Sequence, residues 1–429
     1  MTRSINIVAA VGTSLTAQNY IGSSAGYLRA TAIGPINWLR ALIGDAMPHG
    51  QWYDPANITG RYALGLNMGE SGSQTPAIES WLDEYVLDKY SNAGLLLLEG
   101  GTNDFATRTG DQVASNIIRM AKKALALGIK VVCVSISQRD AGTWPVGGDT
   151  RQKALRSNHL VRQFCLSETD AMYFDVDTVV QDWDENNPLA DYTHDGTHWS
   201  AQGAYAIALA LKDAITTRFG LVTEGGYTGG VDDLYDAEFN RHGSILASTD
   251  FSGTGGSAGT GVTGDLPTGF DLARNSGGAT CVSTVAERAD QRGNEVQLVF
   301  TPSGAGTSAF TFDVPTSLSN DFVKGEWLDA GIYFKVEGGG VREVRSYLRD
   351  FSDGGIYVEA MENNYTINLP DGCAGWAITP PLEKAGDGNL FFRVQIEIDD
   401  SVAGDNTVTL SHPRIGLTRN PKDLIGYKG

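Results

Sequence analysis

The apolar run Ile5-Asn6-Ile7-Val8-Ala9-Ala10-Val11 is followed directly by the polar turn Gly12-Thr13-Ser14-Leu15-Thr16. An almost unbroken apolar run of this length predicts a strand that is covered on both faces, as in a parallel sheet packed between helices. Sites in such sheets form at the carboxyl ends of the strands. The stretch therefore predicts an α/β fold and places Ser14 where a functional side chain is expected.

Strand and helix patterns alternate from this first strand to about residue 220. Short apolar strands separated by helices predict a three-layer α/β/α domain with a parallel sheet. The predicted strands are Ile5–Val11, Tyr62–Leu66, Gly94–Glu99, Lys130–Ser137 and Met172–Val176. The predicted helices are Pro35–Ile43, Ala77–Lys89, Asp111–Leu127, Arg151–Leu166 and Ala201–Arg218.

The pattern changes after residue 220. The glycine-rich stretch Gly225–Gly230 is typical of a linker, and short alternating strands with glycine-rich turns follow beyond Ser244. This spacing predicts an all-β, jelly-roll-like sandwich. We therefore predict a first domain at residues 1–222, a linker at 223–243 and a β-sandwich domain at 244–429, and we expect the first domain to fold without the second.

Length and charge exclude several classes of protein. A chain of 429 residues is too long for one ordinary core, and its formal charge of −19 leaves no basic excess with which to bind nucleic acid. No apolar run is long enough to span a bilayer, and the N-terminus lacks a signal-peptide pattern. The expected location is extracellular or virion-associated, with a cytoplasmic location left open; a homo-oligomer also stays open.

The four cysteines do not form a metal-binding pattern. They are isolated from one another, with no CxxC motif and no Cys/His cluster, so no metal and no cofactor are predicted. Cys133 is expected to be a small core residue. Whether Cys281 and Cys373 pair is left open by the sequence.

Two further segments complement Ser14. A serine nucleophile requires a base, and Asp195-Gly196-Thr197-His198 offers His198 as the base and Asp195 as the group that orients it. Gly101-Thr102-Asn103-Asp104 follows a predicted strand, so the Asn103 amide and the backbone N–H of Ser14 could donate to an oxyanion. Together these residues predict an acyl-transfer site.

Structural roles for the same residues stay open at this point. Ser14 alone is more often a turn residue than a nucleophile, and Asn103 with Asp104 could cap a helix. His194 is a rival base and Asp191 a rival acid.

The segments resemble the four blocks of the SGNH hydrolases, also called GDSL-type esterases and lipases, in that family's order over about residues 4–220. The second block corresponds to Asn67-Met68-Gly69-Glu70-Ser71-Gly72. The resemblance implies that Ser14 is the nucleophile, that Asp195 and His198 complete a triad, and that Ser14, Gly72 (chosen over Gly69) and Asn103 form the oxyanion hole. One position departs from the family: Thr13 stands where an aspartate is usual.

The second half resembles the sandwiches of carbohydrate-binding modules. Its glycine-rich β character and the missing signal-peptide pattern also look similar to those of virus tail-associated deacetylases and secreted polysaccharide esterases. Sugar recognition uses exposed aromatic rings, whereas most aromatic residues on strands belong to the core. A purely structural or oligomerising sandwich is the alternative. The candidate aromatic residues are Trp327, Tyr347, Tyr357, Tyr365 and Trp376.

The function expected from these features is that of a serine carboxylic-ester hydrolase that removes O-acetyl groups from a polysaccharide. A lipid or aryl esterase is the alternative within the same chemistry. A non-enzymatic glycan-binding or virion tail structural protein is the alternative from another class. The loop Gln138–Gly148, with Arg139 and Trp144, and the neighbouring Asp149 either contact substrate or close the sheet. The histidines predicted to be structural or surface residues are His49, His159, His242 and His412.

Overall fold

A computed structural model gives the structure of the protein. It describes residues 3–23, 27–52, 65–90, 92–222, 244, 246, 250–314, 322–352 and 356–428. The predicted linker at 223–243 lies outside the described residues, as do His242 and most of the predicted strand Tyr62–Leu66.

Strands and helices are numbered in chain order. The strands before residue 222 are β1 Ser4–Gly12, β2 Tyr20–Ser23, β3 Tyr27–Thr31, β4 Asn67–Gly69, β5 Ala93–Leu98, β6 Lys130–Val134, β7 Ala171–Phe174, β8 Gln181–Asp182 and β9 Asn187–Pro188. The later strands are β10 Gly255–Ala258, β11 Val262–Gly264, β12 Leu266–Ser276, β13 Thr280–Glu287, β14 Asn294–Thr301, β15 Thr307–Val314, β16 Trp327–Glu337, β17 Val341–Asp350, β18 Ile356–Glu362, β19 Ala374–Ile378, β20 Leu382–Glu383, β21 Leu390–Asp399 and β22 Asn406–Leu417. The helices are α1 Ser14–Ala17, α2 Pro35–Ile43, α3 Thr75–Trp81, α4 Gly110–Ala126, α5 Asp149–Ser167, α6 Asp177–Val180, α7 Ala201–Phe219 and α8 Pro421–Ile425. A 3-10 turn follows α2 at Gly44–Ala46, and a π-helical stretch follows α3 at Leu82–Leu87.

The first sheet has the strand order β4-β1-β5-β6-β7, and every pair in it is parallel. Its two faces are both apolar. Val8 and Leu97 pack on the side of α2 and α7, whereas Ala9 and Leu96 pack on the side of α3, α4 and α5. The predicted three-layer α/β/α fold is confirmed, and the covering of both faces explains why β1 and β5 are continuously apolar.

The second half consists mostly of two sheets. One has the order β10-β12-β15-β21-β17-β18-β3-β2 and the other β11-β13-β14-β22-β16-β19, with β20 also on β16. Strand β21 alternates buried and half-buried residues along its whole length, as expected for a strand with one face on the core. Buried phenylalanines from both sheets, including Phe312 and Phe334, belong to one hydrophobic core.

The first half contributes two strands to this β region. Hairpin β2–β3 extends the eight-stranded sheet, because β3 pairs in parallel with β18 and aligns Leu28 with Val358. The core under α2 is continuous with the β core, where the rings of Trp38 and Phe334 lie 6.1 Å apart.

The end of the chain returns to the first half. Ile425 of α8 is fully buried in the core on the α3–α5 side. The side-chain amide of Asn92 donates to the carbonyl of Leu424 at 3.0 Å. These contacts argue against our expectation that the first half folds alone, because removal of the second half would expose both surfaces. The domain boundaries themselves stay a prediction.

The four cysteines are free and buried, so Cys281 and Cys373 do not pair, and Cys133 is a core residue as predicted. Among the described residues, no helix combines the length and the apolar character needed to cross a membrane.

Candidate active site

The turn after β1 presents Ser14 at the first position of α1. Thr13 caps this short helix, with its hydroxyl accepting from the backbone N–H of Leu15 at 3.4 Å. Gly12 has no room for a side chain, since a Cβ there would lie 2.2 Å from the Thr16 hydroxyl oxygen. The predicted strand-end turn is therefore present, and its tightness depends on the glycine before it.

A buried carboxylate that the sequence analysis did not identify holds this turn. Glu99, directly after β5, accepts a 2.7 Å hydrogen bond from the backbone N–H of Thr13, and the hydroxyls of Thr13 and Thr16 also donate to it at 2.8 and 3.1 Å. Burial raises the pKa of Glu99, and these hydrogen bonds and the charge of Arg139 offset part of the rise. Glu99 thus brings a carboxylate to the turn in which Thr13 replaces the usual aspartate.

Ser14, His198 and Asp195 form a continuous hydrogen-bonded relay. His198 Nε2 lies 2.9 Å from Ser14 Oγ, and His198 Nδ1 lies 2.7 Å from Asp195 Oδ2. Burial alone would raise the pKa of Asp195, but hydrogen bonds from the His198 ring and from the backbone N–H groups of His198 and Thr197 lower it to about 2. An ionised carboxylate can only accept, so Nδ1 carries the proton and Nε2 is free to accept from the Ser14 hydroxyl.

The segment that carries His198 is a tight turn fixed at both ends. Asp195 Oδ1 accepts from the backbone N–H of His198 at 2.7 Å, and Gly196 takes a φ of +79°. The backbone N–H of Asp140 donates to the Gly196 carbonyl at 3.2 Å. Ser200 caps α7 by accepting from the backbone N–H of Gly203. The hydrogen bonds within and next to this turn therefore fix the orientation of the imidazole.

The relay uses His198 and Asp195 rather than the rival base His194 and the rival acid Asp191. His194 Nδ1 lies 3.1 Å from the Trp199 carbonyl, and its Nε2 lies 3.8 Å from Asp195 Oδ2. The carbonyl of Asp191 accepts from the Ser200 hydroxyl, and its backbone has a φ of +63°.

The candidate oxyanion donors lie on neighbouring loops. Asn103 Nδ2 donates to the Ser73 carbonyl at 3.1 Å, which places its amide beside the residue that follows Gly72. Gly72 has a φ of +79°, a conformation that favours glycine, and open space on its side-chain side. Gly69 instead pairs with Gly12 in the sheet, and a Cβ there would lie 2.2 Å from the backbone nitrogen of Ala17.

Similarity to known proteins agrees with this geometry. Residues 10–206 match the GDSL-like Lipase/Acylhydrolase family. This segment, just under half of the chain, is therefore similar to GDSL-like lipases and acylhydrolases. The family match supports ester hydrolysis as the reaction class. No curated protein matches the chain in sequence.

Solved structures of similar proteins each align with about half of the chain. A putative acylhydrolase from Bacteroides fragilis is 19% identical, with 50% of this chain and 89% of the other aligned at a TM-score of 0.35. A GDSL-like lipase from Bacteroides thetaiotaomicron is 20% identical over 51% of this chain and 92% of the other, with a TM-score of 0.35. A catalytic mutant of an acetylxylan esterase from Geobacillus stearothermophilus is 14% identical over 51% of this chain and 96% of the other, with a TM-score of 0.36.

The loop after β6 contacts Asn103, one of the oxyanion candidates. Arg139 Nη2 donates to Asn103 Oδ1 at 3.3 Å and to the Thr102 hydroxyl at 2.9 Å. Trp144 is buried and packs edge-on against Phe105. Asp149 begins α5 and pairs with Lys153 on the surface. Of the three residues noted in or beside this loop, Arg139 is the one that fixes the orientation of a candidate site residue.

Asp104 has a structural role. It is fully buried, and both of its carboxylate oxygens lie 3.1 Å from the backbone N–H of Thr75 at the start of α3. The remaining described histidines lie outside the relay. His49 is buried between Tyr20 and the Ile378 carbonyl, whereas His159 is exposed.

One set of side chains in the described part of the chain has the spacing of a metal site. The ligand atoms of His194, Asp195 and His198 all lie within 4.8 Å of one another. Both ring nitrogens of His198 already have protein partners, Asp195 and Ser14. A cation bound by this set would therefore replace a hydrogen bond of the relay.

Proposed function

We propose that the chain is a serine carboxylic-ester hydrolase with Ser14 as nucleophile, His198 as general base and Asp195 as the residue that orients the imidazole. The observation that carries the proposal is the relay of two hydrogen bonds, 2.9 Å from Ser14 to His198 and 2.7 Å from His198 to Asp195. Neither a metal nor an organic cofactor is required, because the imidazole supplies the proton transfers.

In the first half of the reaction, Ser14 Oγ attacks the ester carbonyl carbon while its proton passes to His198 Nε2. Asp195 stabilises the imidazolium that forms. The carbonyl oxygen becomes an oxyanion, for which we propose the backbone N–H groups of Ser14 and Gly72 and the Nδ2 group of Asn103 as donors. When the tetrahedral intermediate collapses, the ester C–O bond breaks and His198 returns the proton to the leaving alcohol.

In the second half, a water molecule takes the place of the alcohol. His198 removes one proton from this water as its oxygen attacks the acyl-enzyme carbonyl. The bond to Ser14 Oγ then breaks, the proton returns to Ser14, and the free acid leaves.

We further propose an O-acetylated polysaccharide as the substrate. Support comes from the outward face of the eight-stranded sheet, where a cleft of about 470 Å³ is lined by residues that include Tyr347, Phe391 and Arg393. The rings of Tyr347 and Tyr357 lie 5.1 Å apart on this face and are half-buried. Aromatic faces of this kind pack on the apolar faces of sugar rings. A polysaccharide substrate also implies an extracellular or virion-associated location.

The proposal is tested by acetate release from a panel of acetylated glycans, compared with short- and long-chain aryl esters. We expect release from at least one glycan and from the aryl acetate, with both activities lost in Ser14→Ala. Tyr347→Ala should lower the rate on polymer alone. Hydrolysis of long-chain esters without any glycan activity would support a lipid esterase instead. Glycan binding without hydrolysis would support a binding protein.

A further inference from the structure

An aromatic residue of the second half stacks beside the triad. Tyr365, in the loop after β18, lies face to face with His194, with ring centroids 3.9 Å apart and planes 22° apart. The ring of His194 is in turn nearly parallel to that of His198, at 5.7 Å and 15°. The rings of Tyr365, His194 and His198 therefore lie in sequence, and His198 is the proposed base.

His194 lies close to the carboxylate that orients His198. Its Nε2 lies 3.8 Å from Asp195 Oδ2, the oxygen that bonds to His198 Nδ1. Its Nδ1 is fixed by the Trp199 carbonyl at 3.1 Å, and its side chain is only 14% exposed. Any displacement of the His194 ring would therefore disturb the carboxylate and the imidazole together.

The loop that carries Tyr365 is held in one conformation. The side-chain amide of Asn363 donates to the carbonyls of Arg342 and Ile367, at 2.8 and 2.9 Å. Its backbone N–H donates to the buried carboxylate of Glu343 at 2.8 Å. Burial raises the pKa of Glu343 to about 8, and the neighbouring Arg345 offsets part of this effect. The ring of Tyr365 is therefore presented by a packed loop.

Strand β18, which precedes this loop, pairs with β3 of the first half. Its neighbour β3 follows α1 in the chain, and the backbone N–H of Ala32 donates to the carbonyl of Glu362, the last residue of β18, at 2.7 Å. Arg29 of β3 forms ion pairs with Glu359 and Glu362 of β18. The backbone N–H of Thr31, at the end of β3, donates to the Asn19 carbonyl just after α1 at 3.0 Å, so β18 is linked through β3 to the segment that begins with Ser14.

We propose that Tyr365 is a positioning residue for His198, acting through His194, and that the second half of the chain thereby completes the catalytic site. This inference rests on the proposed function. Tyr365 touches neither Ser14 nor the reacting atoms in this account; its ring limits the rotation of His194, which in turn limits the freedom of the Asp195–His198 pair.

The expected effect is modest and specific to the chemical step. The contribution of one stacked aromatic pair corresponds to a loss of about threefold to tenfold in kcat on a small aryl acetate when Tyr365→Ala removes the ring. KM should stay unchanged, because the Tyr365 ring affects the position of His198 and not the binding of substrate. Tyr365→Phe keeps the ring and should retain the wild-type rate.

A double-mutant cycle tests whether Tyr365 acts through His194. The variants are Tyr365→Ala, His194→Ala and the pair, with Tyr427→Ala as the matched control. Tyr427 packs edge-on against Trp52 near the amino end of β5, at the sheet edge opposite Ser14. We expect the pair to lose no more than the worse single variant, since both remove the same restraint. Additive losses, or a raised KM with unchanged kcat, would overturn the proposal and favour direct substrate contact by Tyr365.

A second readout is independent of turnover. The proton between His198 Nδ1 and Asp195 should give a low-field NMR resonance in the wild type that broadens in Tyr365→Ala and persists in Tyr365→Phe and Tyr427→Ala. An unchanged resonance in a folded Tyr365→Ala protein would contradict the proposal. If Tyr365→Ala fails to fold, Tyr365→Leu serves in its place. An inactive wild type with the predicted resonance pattern would refute the esterase function but retain the positioning role.

Discussion

The carboxylate of Glu99 accepts a 2.7 Å hydrogen bond from the backbone N–H of Thr13, across 86 residues of sequence. Because Thr13 immediately precedes Ser14, this contact fixes the turn on which the proposed nucleophile lies.

Loss of the Glu99 carboxylate should affect both stability and turnover. Glu99→Ala leaves buried donors on Thr13 and Thr16 unsatisfied, which costs about 1–3 kcal/mol each in the worst case. We expect a lower thermal midpoint together with a lower kcat, and a smaller loss for Glu99→Gln, which keeps one acceptor oxygen. Glu84→Ala removes an exposed carboxylate and is the matched control. Wild-type kcat in a folded Glu99→Ala protein would show that the turn does not need this contact.

Substitution of His198 should lower kcat far more than substitution of His194. His198→Ala removes the proposed base and should lower kcat by about 10³-fold or more, whereas His194→Ala removes only a neighbouring ring. The comparison is made on aryl acetate, with folding checked by circular dichroism. Equal losses, or a larger loss for His194→Ala, would reverse the assignment of the base.

The rate should also fall as the pH is lowered. The rate falls with the pH because an imidazole that is already protonated cannot accept the Ser14 proton. Because hydrogen bonds hold the pKa of Asp195 at about 2, that carboxylate stays ionised throughout the fall. A pH–rate profile on aryl acetate measures this. An unchanged rate down to strongly acidic pH would argue against a histidine base.

Asn103 should act on the transition state rather than on substrate binding. Asn103→Ala is expected to lower kcat by roughly 10²–10³-fold with little change in KM, because an oxyanion donor interacts mainly with the tetrahedral state. Arg139→Ala removes the hydrogen bond that orients the Asn103 amide and should cause a smaller loss in kcat. A raised KM with unchanged kcat in Asn103→Ala would make Asn103 a substrate-binding residue.

The two halves of the chain should be inseparable as folded units. Residues 1–222 alone would expose the edge of β3 and the core surface that Ile425 covers, so we expect them to be insoluble or unfolded. A protease site inserted at 225–230 provides the control: after cleavage, the two pieces should co-elute and keep aryl acetate activity. A soluble, active 1–222 fragment would restore the simple two-domain division.

Much of the fold was predictable because its patterns are local. The continuous apolar character of β1 and β5 indicated a parallel sheet, and the bounds of α2 were predicted to the residue. The β2–β3 hairpin was not predicted, because its partner β18 lies more than 300 residues away and pairing between distant strands leaves no local pattern.

The candidate site was predictable to a similar degree. Ser14, Asn103, Asp195 and His198 each lie in a short segment of recognisable composition. Glu99 was not predicted, although an acidic residue directly after a buried strand is visible in the sequence. Tyr365 was noted only as one aromatic among several, since nothing near it in sequence indicates contact with His194.

The most direct test of the central claim is covalent labelling by a fluorophosphonate, followed by mass spectrometry of the digested protein. This reagent modifies a serine whose hydroxyl is activated by a base, so we expect one stoichiometric adduct on Ser14 in the wild type. Labelling should be absent in Ser14→Ala and much slower in His198→Ala. An unmodified Ser14 in the folded wild-type protein, or an adduct on another residue, would contradict the assignment of Ser14 as the nucleophile.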